Sequence, residues 1–104
     1  MNVTSIETNV DRAVQILKAL SNPRRLLVLC ALCGGEKSVG ELETIVKISQ
    51  SALSQHLAKL REDHLVKTRR EAQTIYYSVS SSAVHELLGC LSGIYAEDTT
   101  PHAV

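Results

Sequence analysis

Apolar residues recur at helical spacing in five stretches of this chain, and only one stretch alternates like strands. Ile6, Val10, Ala13, Val14 and Leu17 form a stripe that predicts a helix from Thr4 to Leu20, ended by the turn signal Ser21, Asn22, Pro23. A second helix starts at Pro23. Leu26, Leu27, Leu29, Cys30, Leu32 and Cys33 leave it apolar nearly all round, which predicts a place at the centre of the fold, before Gly34 and Gly35 stop it. Ser38 to Val46 reads as a short helix with Val39, Leu42, Ile45 and Val46 on one side, and only Lys47 and Ile48 separate it from the next. That next helix opens on Ser49, whose hydroxyl can accept from an otherwise orphaned amide, and carries Leu53, Leu57 and Leu60 at i, i+4 and i+7. Ser80, Ser81 and Ser82 offer caps for a final helix, where Val84, Leu87, Leu88, Leu91, Ile94 and Tyr95 are apolar. From about Glu97 onward the sequence EDTTPHAV has no periodicity and is expected to be a disordered tail, so residues 1–96 form the one domain.

Between the fourth and fifth helices lie two short runs rich in β-branched and aromatic residues, Leu65 to Arg70 and Thr74 to Val79, separated by Glu71, Ala72 and Gln73. They predict a β-hairpin. Two helices joined by a tight connection make a helix-turn-helix, in which the first supports and the second docks. The hairpin after it makes the fold a winged helix-turn-helix, mainly α with a small β-hairpin. At roughly 100° per residue, the side of the fourth helix opposite Leu53 and Leu57 carries Ser51, Ser54, Gln55 and Ala58, flanked by Lys59. Gln can bond an adenine through two atoms, Ser can bond several base edges, and Ala leaves room for a thymine methyl, so this face suits a major groove. A merely solvated helix would more often carry Glu/Lys pairs. Lys67, Arg69 and Arg70 on the hairpin can neutralise phosphates beside that groove.

Composition narrows the picture. At 104 residues there is room for one small domain with a modest aliphatic core lacking Phe and Trp, so help from a second subunit is expected. Formal net charge is zero. The basic residues Lys59, Arg61, Lys67, Arg69 and Arg70 cluster locally, which predicts site-specific, salt-sensitive DNA binding without a general cationic field. No stretch approaches the roughly 20 apolar residues that span a bilayer, and the N-terminus has no charged start followed by an apolar run, so a cytoplasmic protein is expected. There is no Gly-x-Ser-x-Gly, phosphate-cradling glycine loop or close carboxylate pair in an apolar setting, which argues against an enzyme. A winged helix could also serve as a protein-interaction or RNA-binding module. Arg69 and Arg70 beside a Ser/Gln face favour duplex DNA, since an RNA module would display exposed stacking aromatics and at most one of the adjacent Tyr76 and Tyr77 can face outward.

The stretches LKALSNPRRLLVL, SVGEL, SQSALSQHLAKLR, LVKTRREAQTIYYS and the last helix through IYAEDT resemble the winged-helix transcriptional repressors of the arsenic-repressor (ArsR/SmtB) type, over nearly the whole chain. The resemblance implies that the helix from Ser49 to Arg61 reads double-stranded operator DNA and that the hairpin is the wing. Carried over, Ser49, Gln50, Ser51, Ser54, Gln55 and His56 become recognition-helix candidates, with Lys59 beside them and Arg69, Arg70 and Gln73 at the wing. It also implies a homodimer paired through the terminal helices, whose apolar surface exceeds the need of so small a domain.

Many members of this family sense metals or redox agents, so the cysteines matter. Cys30 and Cys33 form a Cys-x-x-Cys, a spacing used by zinc sites and dithiol centres. No second Cys/His pair completes a zinc set, and the flanking LLVLCALC is expected to bury both sulfurs among aliphatics as ordinary core cysteines. Metal-sensing members carry a Cys-x-Cys on the helix here reading SVGELETIV, or Asp and His residues on the last helix; this chain has neither, His85 stands alone there, and no metal or other cofactor is expected. Thiol-sensing members place one cysteine where Cys30 stands and a second where this chain has Ala96. Cys90 lies six residues earlier, about 9 Å along the axis and on another side of the helix, so it is not a simple replacement. A thiol-responsive repressor using Cys30 remains the alternative reading.

Overall fold

A computed structural model describes residues 3–96, and the expected tail, 97–104, lies outside the described residues. The element order is α1 (Val3–Thr8), α2 (Val10–Leu20), α3 (Pro23–Cys33), β1 (Lys37–Ser38), α4 (Val39–Val46), α5 (Gln50–Glu62), β2 (Val66–Glu71), β3 (Thr74–Val79) and α6 (Ser82–Tyr95). The winged helix-turn-helix is present. Its core is wholly aliphatic: Ala19 from α2, Val28, Leu29 and Leu32 from α3, Leu42 and Val46 from α4, Leu53, Leu57 and Leu60 from α5, then Leu65, Val66, Val84 and Leu88. Each buried Val or Leu contributes on the order of 1.5 to 3 kcal/mol by leaving water.

Local chemistry explains most boundaries. Asn22 caps α3 by accepting from the amides of Arg24 and Arg25 at 3.0 and 3.1 Å, and Pro23 fills the first helical position, where a missing N–H costs nothing. Ser38 and Glu41 form a reciprocal capping box on α4, with bonds of 3.2 and 3.0 Å. Lys47 ends α4 in the left-handed region at φ 59°, where its amide returns to Glu43 O, and this single residue turns the chain toward α5. Ser49 caps α5 through Ala52 N at 3.2 Å, and Ser81 caps α6 through Val84 N at 3.3 Å.

Three features differ from the sequence reading. The expected single helix from Thr4 to Leu20 is two helices broken at Asn9. There Thr8 Oγ1 and Asn9 Nδ2 donate back to the carbonyls of Thr4 and Ser5, and Asn9 N reaches Ile6 O in a tighter turn. The hairpin gains a third strand: β1 pairs antiparallel with β3, giving the order β1-β3-β2. Two residues carry too little alternation to announce a strand. Finally, α3 is not enclosed all round. Val28, Leu29 and Leu32 form its buried stripe, whereas Leu27 is 47 % exposed and Cys30 lies on that same open side.

The terminal helices leave apolar surface in water. Val10, Val14 and Leu17 of α2 and Leu91, Ile94 and Tyr95 of α6 are all exposed, Ile94 at 68 % and Tyr95 at 64 %. Ala13, Ile16 and Leu17 face Ala83, Leu87 and Cys90 across an apolar groove between these helices. The radius of gyration, 15.0 Å, exceeds the about 13 Å usual for a compact domain of this size. No helix among the described residues is long and apolar enough to cross a membrane.

Candidate nucleic-acid interface

The stripe Leu53, Leu57 and Leu60 fixes which side of α5 faces out. Ser51, Ser54, Gln55, Ala58 and Lys59 are exposed on it, His56 is half-buried at the flank, and Gln50 is exposed in the first turn. No protein group hydrogen-bonds the side chains of Gln50, Ser54 or Gln55 among the described residues, so these donors and acceptors remain available. Ser49 is already engaged as the cap and lies 3.3 Å from Ser51 Oγ. Lys59 leans back along its own helix to Asp63 at 3.4 Å, and the Asp63 carboxylate also accepts from Gln15 Nε2 on α2. That contact joins the end of α5 to a terminal helix. A groove of about 390 Å³ separates the Ser54, Ala58 and Arg61 side of α5 from Val39 and Tyr77.

The wing stands beyond this groove. Arg69 and Tyr76 are directly paired across β2 and β3, and the guanidinium sits over the ring, 4.8 Å from its centroid. The same guanidinium donates through Nη2 and Nε to both oxygens of Glu36, at 2.7 and 3.0 Å, and through Nη1 to Glu71 at 2.8 Å. The Arg69 hydrogen bonds hold the Glu36 carboxyl below the usual carboxylate range. Arg70 differs: its Nε donates to Ala72 O at 3.3 Å, and its terminal nitrogens have no protein partner among the described residues. Gln73 is exposed at the wing turn beside Ala72, whose φ of 56° is left-handed. Tyr77 packs against the core, so Tyr76 is the outward member of the tyrosine pair.

Two arginines that the sequence reading passed over tie α3 to its neighbours. Arg24 Nη1 donates to Val46 O at 3.1 Å, at the end of α4 and beside the turn that launches α5. Arg25 donates to Ala19 O and Lys18 O at 3.2 and 3.0 Å, closing the end of α2. A signal was available. Cations in the first turn of a helix oppose its dipole, so a Pro-Arg-Arg opening implies that both arginines serve something else.

Cys30 is not a core residue, contrary to the sequence reading, whereas Cys33 packs against the edge of the core. Cys30 is exposed on the open side of α3 and Cys33 half-buried at its flank, and both line a groove of about 350 Å³ shared with His85, Leu88, Gly89 and Ser92 of α6. Cys90 lines the other groove, against α2. Burial pushes the Cys33 thiol above its ordinary value, and neighbouring Cys30 adds to the shift. No three His, Cys, Asp or Glu side chains converge as a metal set among the described residues.

A polar, exposed helix face set beside a stranded wing over an aliphatic core defines the class: a winged helix-turn-helix DNA-binding domain. The sequence profile described as "Bacterial regulatory protein, arsR family" matches residues 22–68. The nodulation protein NolR of Rhizobium meliloti is 59% identical over 91 residues, which cover 88% of this chain and 75% of that protein. The transcriptional activator HlyU of Vibrio cholerae is 50% identical over 97 residues, covering 93% and 90%. The crystal structure of the transcriptional repressor BigR from Xylella fastidiosa superposes with a TM-score of 0.86 at 39% identity, covering 91% of this chain and 97% of that one. The chain belongs to the ArsR family of bacterial regulatory proteins, and it is a winged helix-turn-helix transcriptional regulator.

Proposed function

We propose that this regulator acts as a homodimer on two-fold symmetric operator DNA in the cytoplasm, and that it represses by occupying promoter sequence. It is a binding protein and not an enzyme. The observation that carries this reading is the exposed face of α5, where Ser54 and Gln55 have no protein partner among the described residues and stand opposite a fully packed leucine stripe, with Ser51, which meets Ser49 Oγ, on the same face and Gln50 exposed in the first turn. In this reading those four residues contact base edges, with Ser49, His56 and Lys59 at the margins and Arg70 and Gln73 meeting the backbone from the wing. The exposed apolar residues of α2 and α6 supply the dimer surface, since a soluble monomer seldom leaves so much contiguous apolar area in water. Footprinting on a duplex selected from a random pool tests it. Two protected half-sites about 10 base pairs apart, centre to centre, are expected, and a single half-site bound by a monomer at full affinity would remove the dimer.

One observation favours a second reading, a repressor relieved through thiol chemistry at Cys30. That sulfur is exposed and shares its groove with Cys33. Operator affinity measured before and after mild oxidation decides between them. A loss of tenfold or more accompanied by a Cys30 to Cys33 or Cys30 to Cys90 crosslink supports the thiol switch; unchanged affinity supports the first reading.

A further inference from the structure

The wing contains an arginine that its own fold has already claimed. Glu36 lies immediately before β1, and Ser38, two residues on, caps α4, the supporting helix of the helix-turn-helix. Because β1 pairs with β3 and β3 with β2, Ser38, Tyr76 and Arg69 are lateral neighbours on three strands. Arg69 crosses that sheet to grip both oxygens of Glu36, takes Glu71 with a third N–H, and rests on the Tyr76 ring. A planar fork meeting a carboxylate through two parallel bonds is among the stronger and most directional side-chain contacts, and a point-charge ammonium cannot reproduce it. The carboxylates of Glu36 and Glu71 also offset the charge that Arg69 brings. A phosphate reaching for Arg69 would have to displace both.

The geometry points to Arg69 and Glu36 as positioning residues that set the angle of the wing against the α4–α5 reading head, with Arg69 making no phosphate contact. The strap acts through the wing: it decides where Arg70 and Gln73 lie relative to the groove entered by α5. This inference rests on the DNA-binding reading above and adds to it a separable claim about which wing cation faces DNA.

The experiment uses the full chain and a duplex enriched by the wild-type protein from a random-sequence pool, with an unselected duplex alongside, across a salt series. Glu36→Ala is expected to weaken binding to the enriched duplex several-fold while the dependence of log affinity on log salt keeps its slope. Arg69→Lys, which retains the charge but not the fork, is expected to lose as much as Arg69→Ala. If Arg69 were instead a masked phosphate contact, Glu36→Ala would free it, strengthen binding to both duplexes and steepen the slope by about 0.9 per subunit, and Arg69→Lys would keep most of the affinity. Either that pattern or unchanged binding in all three variants overturns the strap. Glu36 is an exposed side chain on the surface, so its removal leaves the aliphatic core intact, and circular dichroism of each variant confirms the fold. Failure of the wild type to enrich any duplex would overturn the DNA-binding reading and the strap with it, whereas enrichment with the wrong variant pattern overturns the strap alone.

Discussion

The outer face of α5 and the wing lie on either side of one groove, yet they treat their polar groups in opposite ways. On α5, Ser54 and Gln55 are short or amide-tipped, project away from the Leu53, Leu57, Leu60 stripe, and find no partner among the described residues, and Gln50 is equally free in the first turn. On the wing, the central cation folds back onto its own sheet: Arg69 is held by Glu36, Glu71 and Tyr76, while Arg70 gives only its Nε to Ala72 O. Density of charge is therefore a poor guide to which side chains are available. The neutral face is the open one, and it is rigid because a core lies directly beneath it.

That contrast predicts unequal responses to truncation. Leu53 is completely buried under the α5 face, so Leu53→Ala should cost about 2 to 5 kcal/mol in chemical denaturation. Ile75 on the wing is exposed, and Ile75→Ala should stay within about 0.5 kcal/mol. Comparable losses at both sites would mean that the wing is packed as firmly as the helix. The next effect in size is on binding: Gln55→Ala removes an amide fork and should cost about 1 to 3 kcal/mol per half-site in titrations of the selected duplex. Arg70→Ala should weaken selected and unselected duplexes about equally and lower the salt slope by about one per subunit, because phosphate neutralisation is indifferent to sequence.

The smallest effect concerns the groove between α3 and α6. Alkylation acts on the thiolate, and Cys33 is half-buried with its proton held more tightly by desolvation and by Cys30. A brief iodoacetamide pulse read by mass spectrometry should label Cys30 before Cys33, and Cys33 should catch up only as pH rises above the ordinary thiol range. Equal labelling at neutral pH would show that the two sulfurs share one environment.

The parts of this fold that were legible in the sequence are those governed by neighbours within two helical turns. The Leu53, Leu57, Leu60 stripe, the Ser49 cap and the tight link between α4 and α5 all follow from residues at most seven positions apart. Features set by distant partners were not legible. Arg69 and Glu36 are 33 residues apart, and nothing near Arg69 in the chain announces which carboxylate takes it. Hydrophobic periodicity failed on α3 for a different reason. A helix apolar nearly all round has no period to read, so its buried sector could be found only from what packs on it, and Cys30 fell outside that sector. The break at Asn9 arises from side chains bonding to the preceding turn, which leaves the Ile6, Val10, Val14 spacing undisturbed.

Base-resolved binding tests the central claim, that α5 reads sequence while the wing supports it, most directly. Wild type, Gln55→Ala and Arg70→Ala are each titrated against the selected duplex and every single-base variant of it. The account predicts that Gln55→Ala loses discrimination at one symmetry-related base pair in each half-site and keeps it elsewhere, while Arg70→Ala keeps the whole preference profile and shifts it uniformly to weaker binding. Loss of discrimination in Arg70→Ala together with an unaltered profile in Gln55→Ala would contradict it.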